Sequence, residues 1–330
     1  MKAAVIHRYR ETARIEELAR PSPGSGDLLV QVRAASVNPV DFKIRDGKLK
    51  TLLRYPMPLV LGNDLSGTVV AVGAGVSSFK PGDEVFARLD KDRIGAFAEF
   101  ALVRETAAAR KPARLSHLEA ASLPLVGLTS WQAMVDTAKL QPGARVLIHA
   151  GSGGVGTFAI QLAKHLGCWV ATTAGARNLE LVRGLGADQA IDYRTQQFDE
   201  ILSDLDFVLD TQGGETLLRN FSVVKRGGCI VGIGGLPDAR FARAWGLNPF
   251  LVLALGFMSR KETRLARKRS VRYHYLFMHA SGDQLSRIAE LADGGMIRPV
   301  IDRTFPLAEI AAALAYSESG RATGKVVIST

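Results

Sequence analysis

Gly151, Gly153 and Gly156 stand at the spacing G-x-G-x-x-G, between the apolar run Val146-Leu147-Ile148 and a stretch, Gln161–Leu166, with apolar residues at helical intervals. A strand that turns through glycines into a helix suits a pyrophosphate. The turn is tight, its backbone is bare enough for close approach, and the first N–H groups of the helix carry partial positive charge. Gly154 and Val155 are the residues expected to meet that group. The second ribose then decides the dinucleotide. An NAD site places a carboxylate about 20 residues after the first glycine, yet no carboxylate occurs between Gly156 and Glu180. Arg177 is available instead to pair with a 2′-phosphate, and Thr172 or Thr173 to hydrogen-bond it. The expected cofactor is NADPH. A different chemistry is also legible: Ala150-Gly-Ser152-Gly-Gly154 is one residue away from the G-x-S-x-G nucleophile elbow of hydrolases, which makes Ser152 a nucleophile but leaves Gly156 without a role.

These glycines need a sheet behind them. Strand-like runs recur at Cys168–Thr173, Gln189–Asp192, Phe207–Asp210 and Cys229–Ile233, with helix-like stretches such as Asn178–Leu185 between several of them. The alternation predicts an α/β fold with a parallel, doubly wound sheet and a dinucleotide at the carboxyl ends of its strands. Val271–Met278 reads as its last strand, with His274 and the following His279 as hydrogen-bonded structural histidines. Cys168 and Cys229 both fall in buried strands and read as reduced, small hydrophobes rather than a disulfide.

The first 120 residues have another texture. Short β-like runs (Leu28–Val32, Gly67–Val72, Glu84–Ala87, Ala98–Val103) are separated by Pro23-Gly24, Gly73-Ala74-Gly75 and Pro81-Gly82-Asp83, the punctuation of a β-rich domain. Asn38, Asp41, Lys43, Asn63 and Asp64 lie in turns there, where turn chemistry is the plainer reading. The tail from Pro299 returns to this domain and closes with a strand at Lys325–Ser329. The expected division is 1–120 and 281–330 for the β-rich domain and 121–280 for the dinucleotide domain. Met1–Ile6 runs straight into a strand, so no targeting segment is expected. The longest apolar segment, Phe250–Met258, is far short of a bilayer span. A cytoplasmic protein without stable membrane insertion is expected.

The formal charge of +10 is unevenly spread. Between Ser259 and Arg272 stand seven basic residues against Glu262 alone. An interfacial membrane helix or a nucleic-acid patch would look like this, and so would a solvated helix. No nucleic-acid partner is expected on balance, but a noncatalytic NADPH-binding protein that contacts RNA or membrane through residues 259–272 is the alternative function.

Taken in order, Val37-Asn-Pro-Val-Asp-Phe-Lys43, Val60-Leu-Gly-Asn-Asp-Leu-Ser-Gly67, Pro81-Gly-Asp-Glu-Val85, Gly95-Ala-Phe-Ala-Glu99, Gly127-Leu-Thr-Ser-Trp131, the glycine turn, Gly186–Tyr193 and Gly320-Arg-Ala-Thr-Gly-Lys-Val-Val327 resemble the zinc-free medium-chain dehydrogenase/reductases of the quinone oxidoreductase type, close to the NADPH-dependent enone and alkenal reductases. The resemblance covers nearly the whole chain. It implies a GroES-like β-rich catalytic domain beside the Rossmann domain, and hydride transfer from NADPH to a quinone or to the C=C of an α,β-unsaturated carbonyl in a cleft between the domains. Zinc-dependent relatives have a Cys before the Asp that corresponds to Asp41, and Gly-His-Glu where this chain has Gly62-Asn63-Asp64, so zinc ligands are not expected.

The resemblance also implies roles for single residues. The candidate catalytic residues are Lys43, expected to contact the cofactor ribose or the substrate oxygen, Asn38 beside it, and Tyr55 lining the cleft. Thr129 would face the nicotinamide, or else cap a helix. Gly175, Arg177 and Asn178 would surround the 2′-phosphate, with Tyr193 leaning against it and Thr173 nearby. Many relatives carry serine where this chain has Gly175. Ile233 would pack beside the nicotinamide or its ribose, and Arg321 and Ala322 would close over the cofactor. The basic segment would cover the substrate cleft, and a homodimer is a further expectation.

Overall fold

The computed structural model describes residues 1–330, which divide into two compact units, 1–128 with 279–330, and 129–278. The change in texture near Ala120 marks the helix His117–Ala121. That helix packs on the β-rich strands, so the division falls at Leu128 rather than at Ala120.

In the first unit, the strand Asp27–Val37 is the axis. It pairs with Asp64–Val72, Phe100–Arg104 and Lys325–Ser329, and the sheet continues through Glu84–Arg88 and Ala108–Arg110 on one side and Ile301–Pro306 on the other. Leu28, Val30, Ala34 and Ala35 are buried along it, which is why an 11-residue strand persists here. Register carries the functional consequence. Ser36 pairs with Asp64 and Val37 with Val326, so Asp64 and Lys325 flank the end of this strand, where Asn38 opens the helix Pro39–Arg45. Pro39 at the first helical position suits that start, and the Asp41 side chain reaches back to accept from the Asn38 N–H.

The second unit holds six parallel strands in the order Gln189–Asp192, Trp169–Ala174, Arg145–Ile148, Leu205–Asp210, Val224–Gly232, Arg272–Tyr275. Counted along the chain this is 3-2-1-4-5-6, the doubly wound order in which a crevice opens at the carboxyl end of the first strand. Val146, Leu147 and Ile148 are fully buried there, as is most of the helix Gly154–His165 that follows. The last strand is shorter than expected from Val271–Met278. Its neighbour ends at Gly232, and beyond Tyr275 only the Leu276 N–H still bonds back to that strand, at Gly232 O.

Candidate cofactor site and a buried charge cluster

The glycine turn can be tested atom by atom. A Cβ on Gly151 would lie 2.0 Å from Thr172 Oγ1, and one on Gly156 would lie 2.3 Å from Ala150 O and 2.6 Å from Gly151 Cα. Both positions are closed to any side chain. At Gly153 the only nearby atom is Ala150 O, at 3.3 Å, so its outer side is open. The first and third glycines thus shape the turn and seat the helix, while the middle one leaves the backbone bare where phosphate oxygens would approach the first turn of Gly154–His165. Gly154 and Val155 begin that helix, and its first turn has no acidic residue. These residues fit a dinucleotide pyrophosphate.

Beneath the turn lies a buried chain of hydrogen bonds. Thr173 Oγ1 accepts from the Ala150 N–H at 3.1 Å and lies 3.1 Å from His149 Nδ1, while His149 Nε2 is 2.8 Å from Asn220 Oδ1. Asn220 Nδ2 donates in turn to Asp210 Oδ2 at 2.7 Å, and Asp210 Oδ1 accepts from the N–H groups of Gln212 and Gly213. Because Asn220 Oδ1 can only accept, the proton of a neutral His149 sits on Nε2, and burial pushes its pKa down. The chain ties the ends of three strands together. It also corrects two expectations. Thr172 donates to Ile148 O at 2.6 Å and Thr173 holds the glycine turn, so neither hydroxyl is aimed at a 2′-phosphate; both side chains are buried. His149 is engaged by Thr173 and Asn220 and not by Ser152, so the histidine beside the turn is not the general base that the elbow reading needs.

The end of the second strand carries the groups that discriminate the ribose. Gly175 precedes the short turn Ala176–Asn178, in which Arg177 is exposed and Asn178 half-buried. Tyr193 follows the third strand at 60% exposure, and a Cβ on Gly175 would meet its ring at 3.8 Å. Gly175, Arg177, Asn178 and Tyr193 therefore cluster at neighbouring strand ends. Arg194, 5.8 Å from the Tyr193 ring, is a second cation here that spacing from the glycine turn does not single out; its adjacency to Tyr193 after Ile191-Asp192 is the signal in the sequence. Ile233 is half-buried just past the strand Val224–Gly232, its N–H bonded to Asp210 O. Thr129 is buried within the helix Pro124–Trp131, five residues past its start, and so is not an N-cap.

In the first unit the sequence-derived candidates separate into two kinds. Lys43 is exposed on the helix Pro39–Arg45 and makes no ion pair. Arg321 is exposed and Ala322 half-buried in the turn before Lys325–Ser329. Asn38 and Tyr55 face inward. The Tyr55 hydroxyl donates to Lys91 O at 2.5 Å, and burial pushes its pKa up. The Asn38 amide donates to Asp64 Oδ2 at 2.8 Å and to Ser36 O, and its Oδ1 accepts from Lys325 Nζ. Neither polar group is left for an acceptor, which corrects the expectation of a catalytic Asn38 and of a cleft-lining Tyr55 hydroxyl.

Asn38 belongs to a buried cluster that spacing alone did not reveal. Asp41 accepts from the Asn38 N–H at 2.7 Å and from Asn63 Nδ2 at 2.6 Å; Asp64 accepts from Ser36, Asn38 and the Leu125 N–H; Lys325 Nζ donates to Val37 O and lies 3.9 Å from Asp64. Arg88, 2% exposed, gives its guanidinium to Leu89 O. Two carboxylates and two cations are thus enclosed together. Burial, opposed by hydrogen bonds from Asn63 and Asn38, raises the Asp41 carboxyl to about 7. Burial likewise raises Asp64 and lowers Lys325 and Arg88, with each opposite charge acting against the shift. No group of three or more His, Cys, Asp or Glu side chains converges on a metal-sized space.

Known proteins match both halves. Residues 24–113 match the alcohol dehydrogenase GroES-like domain, and residues 185–328 match a family described as zinc-binding dehydrogenase. The chain is similar to the mitochondrial NAD(P)H oxidoreductase RTN4IP1 of Mus musculus, 39% identical over 92% of this chain and 81% of the relative. It is similar to the 2-methylene-furan-3-one reductase of Solanum lycopersicum, 35% identical over 94% of this chain and 74% of the relative. Among solved structures, the quinone oxidoreductase from Coxiella burnetii superposes with a TM-score of 0.87 at 31% identity, covering 100% of this chain and 99% of that one. With a GroES-like sheet, a 3-2-1-4-5-6 Rossmann sheet and these relatives, the chain belongs to the medium-chain dehydrogenase/reductase family of oxidoreductases, in its quinone oxidoreductase type.

Proposed function

We propose that the protein transfers a hydride from NADPH to a quinone or to the C=C of an α,β-unsaturated carbonyl, without zinc. The observation that carries the reading is the pairing of a bare glycine turn with a second strand that ends on Gly175 and Arg177 and offers no carboxylate. NADPH, when bound, supplies the hydride. The protein's part is to hold and to orient. Gly153 leaves room for the pyrophosphate, Gly154 and Val155 turn their N–H groups toward it, and Gly151 and Gly156 keep helix and strand close enough for that. Arg177, with Arg194, Asn178 and the Tyr193 ring beside it, favours a 2′-phosphate over a free hydroxyl.

Lys43 is assigned to the acceptor oxygen or the cofactor ribose: its Nζ carries protons and has no competing carboxylate. An ammonium there stabilises charge that develops on a carbonyl oxygen. Asn38 acts at one remove, fixing the start of the helix that carries Lys43. Zinc independence rests on residue types. No Cys precedes Asp41 and Asn63 stands where the resembling zinc enzymes have His, while the amides of Asn38 and Asn63 are bonded to Asp64 and Asp41 beside the Lys325 cation. A divalent ion would have to displace that charge. The names of the reductase and quinone oxidoreductase relatives support a conjugated acceptor.

The test is NADPH oxidation at 340 nm, with NADH in parallel, against an ortho-quinone, a para-quinone, an aliphatic enone and a simple aldehyde, with and without chelator. Turnover of a conjugated acceptor, faster with NADPH and indifferent to chelator, is expected. Tight NADPH binding without turnover of any acceptor would favour the noncatalytic alternative instead.

A further inference from the structure

The helix Pro249–Met258 reads Pro-Phe-Leu-Val-Leu-Ala-Leu-Gly-Phe-Met, without a charge, and none of its residues is buried. A helix that is apolar all round ordinarily lies in a core. Here one side rests on the helix Ala239–Ala244, and the other exposes Phe250 at 85%, Leu253 at 74% and Phe257 at 64%, with Met258 beside them. The spacing 250, 253, 257 makes these one face.

Ser259 then turns the chain into Arg260–Arg269, six cations with one carboxylate. Leu265 and Ala266 pack against a core that includes Val271 and Tyr273, which turns the basic residues outward. The one acid, Glu262, turns its Oε2 inward and leaves five positive charges in excess on this helix. Arg260, Lys261, Arg264, Arg267, Lys268 and Arg269 form no ion pair. The Arg260 guanidinium lies 4.0 Å from the Phe257 ring centroid, so the apolar and basic faces meet at their junction.

We propose that this helix pair docks the protein on an anionic lipid surface. Phe250, Leu253, Phe257 and Met258 enter the boundary between head groups and acyl chains, while Arg260, Lys261, Arg264 and Lys268 face the anionic head groups. Charge selects this occupant. A second copy would cover the apolar face but bring the same excess of cations and no surplus of acids to pair with them. A nucleic acid would satisfy the cations but leave the large apolar side chains in water. A lipid surface satisfies both, and ten residues make a peripheral contact rather than a span. Apart from the cover over the substrate cleft that the resemblance implies for the basic segment, none of these residues has a part in the proposed reaction, and vesicle binding is read without any turnover.

The test is co-sedimentation of the full-length protein with phosphatidylcholine vesicles, with and without phosphatidylserine, across a salt series. Binding only to the phosphatidylserine vesicles, weakening as salt rises, is expected. Arg264→Glu with Lys268→Glu should lower the affinity at least about tenfold, and so should Phe250→Ser with Leu253→Ser. Both variants change exposed side chains and should melt with the parent. The salt series on the unmodified protein keeps the test independent of how the variants fold. Absence of binding, equal binding to neutral vesicles, or full binding by the charge-reversed variant would overturn the proposal. So would a dimer in sedimentation velocity that the apolar variant dissociates without affecting vesicle binding, or a nucleic-acid complex that vesicles fail to compete.

Discussion

The Lys325 ammonium donates to the side-chain oxygen of Asn38, 287 residues earlier in the chain, inside a pocket that also encloses Asp41 and Asp64. Both ends of the chain thereby meet at the start of one short helix. Removing the cation alone leaves the buried Asp64 carboxylate, 3.9 Å away, without that compensating charge, a change that typically costs about 3–5 kcal/mol. Lys325→Met is therefore expected to lower stability by that order, measured as a shift in denaturant midpoint at unchanged slope. Lys325→Met combined with Asp64→Asn should recover part of the loss, because the second change removes the charge that the first one strands.

The same pocket makes stability depend on pH with a definite sign. The Asp41 carboxyl is raised to about 7 in the fold, against an ordinary value of 3.8. The folded state therefore holds a proton that the unfolded chain releases, so this group's contribution is full below about pH 4 and is lost as pH rises through about 7. Melting temperature followed from pH 4 to 8 should show that loss, and Asp41→Asn, which cannot ionise, should flatten it. A variant curve parallel to that of the parent would remove Asp41 as its source.

Gly156→Ala and Gly153→Ala should part company. The first places a methyl 2.3 Å from a backbone oxygen and 2.6 Å from a backbone carbon, neither of which can move without opening the turn. A large fall in melting temperature and loss of NADPH binding are expected. The second meets only Ala150 O at 3.3 Å. Its fold should survive, with weaker NADPH binding because the methyl stands where the pyrophosphate would approach. Melting curves and titration of cofactor fluorescence separate the two effects.

Arg177→Ala should raise the KM for NADPH by about tenfold or more, the worth of a charged hydrogen bond, while leaving NADH nearly unchanged. An equal loss with both cofactors would sink the 2′-phosphate assignment. Gly175→Ser is the complementary gain. A side chain there meets the Tyr193 ring at an ordinary 3.8 Å, so stability should hold, and the added hydroxyl should tighten NADPH several-fold without improving NADH.

Much of the fold was legible in the chain. The Rossmann strands and the last strand, Lys325–Ser329, lie where apolar runs and glycines put them, because strand, turn and helix are matters of local period and of which residues tolerate a tight turn. Arg177 and the missing carboxylate were visible for the same reason: the distance from a glycine turn to the end of the next strand is nearly constant in this architecture. Side-chain direction was not visible. Thr172 and Thr173 sit at the expected strand end, but their hydroxyls are taken by Ile148 and by the turn itself. Asn38 sits in the expected motif, but its amide is held by Asp64 and Lys325.

What the sequence by itself determined is therefore the architecture and the kind of ligand, since both follow from periodicity and residue type within short windows. Only the tertiary structure decided which polar groups remain available for chemistry. Antiparallel pairing of Asp27–Val37 with Asp64–Val72 and Lys325–Ser329 brings an amide, two carboxylates and an ammonium from distant stretches into one buried space. The energy of a buried charge depends on the partners that pairing supplies rather than on its neighbours along the chain.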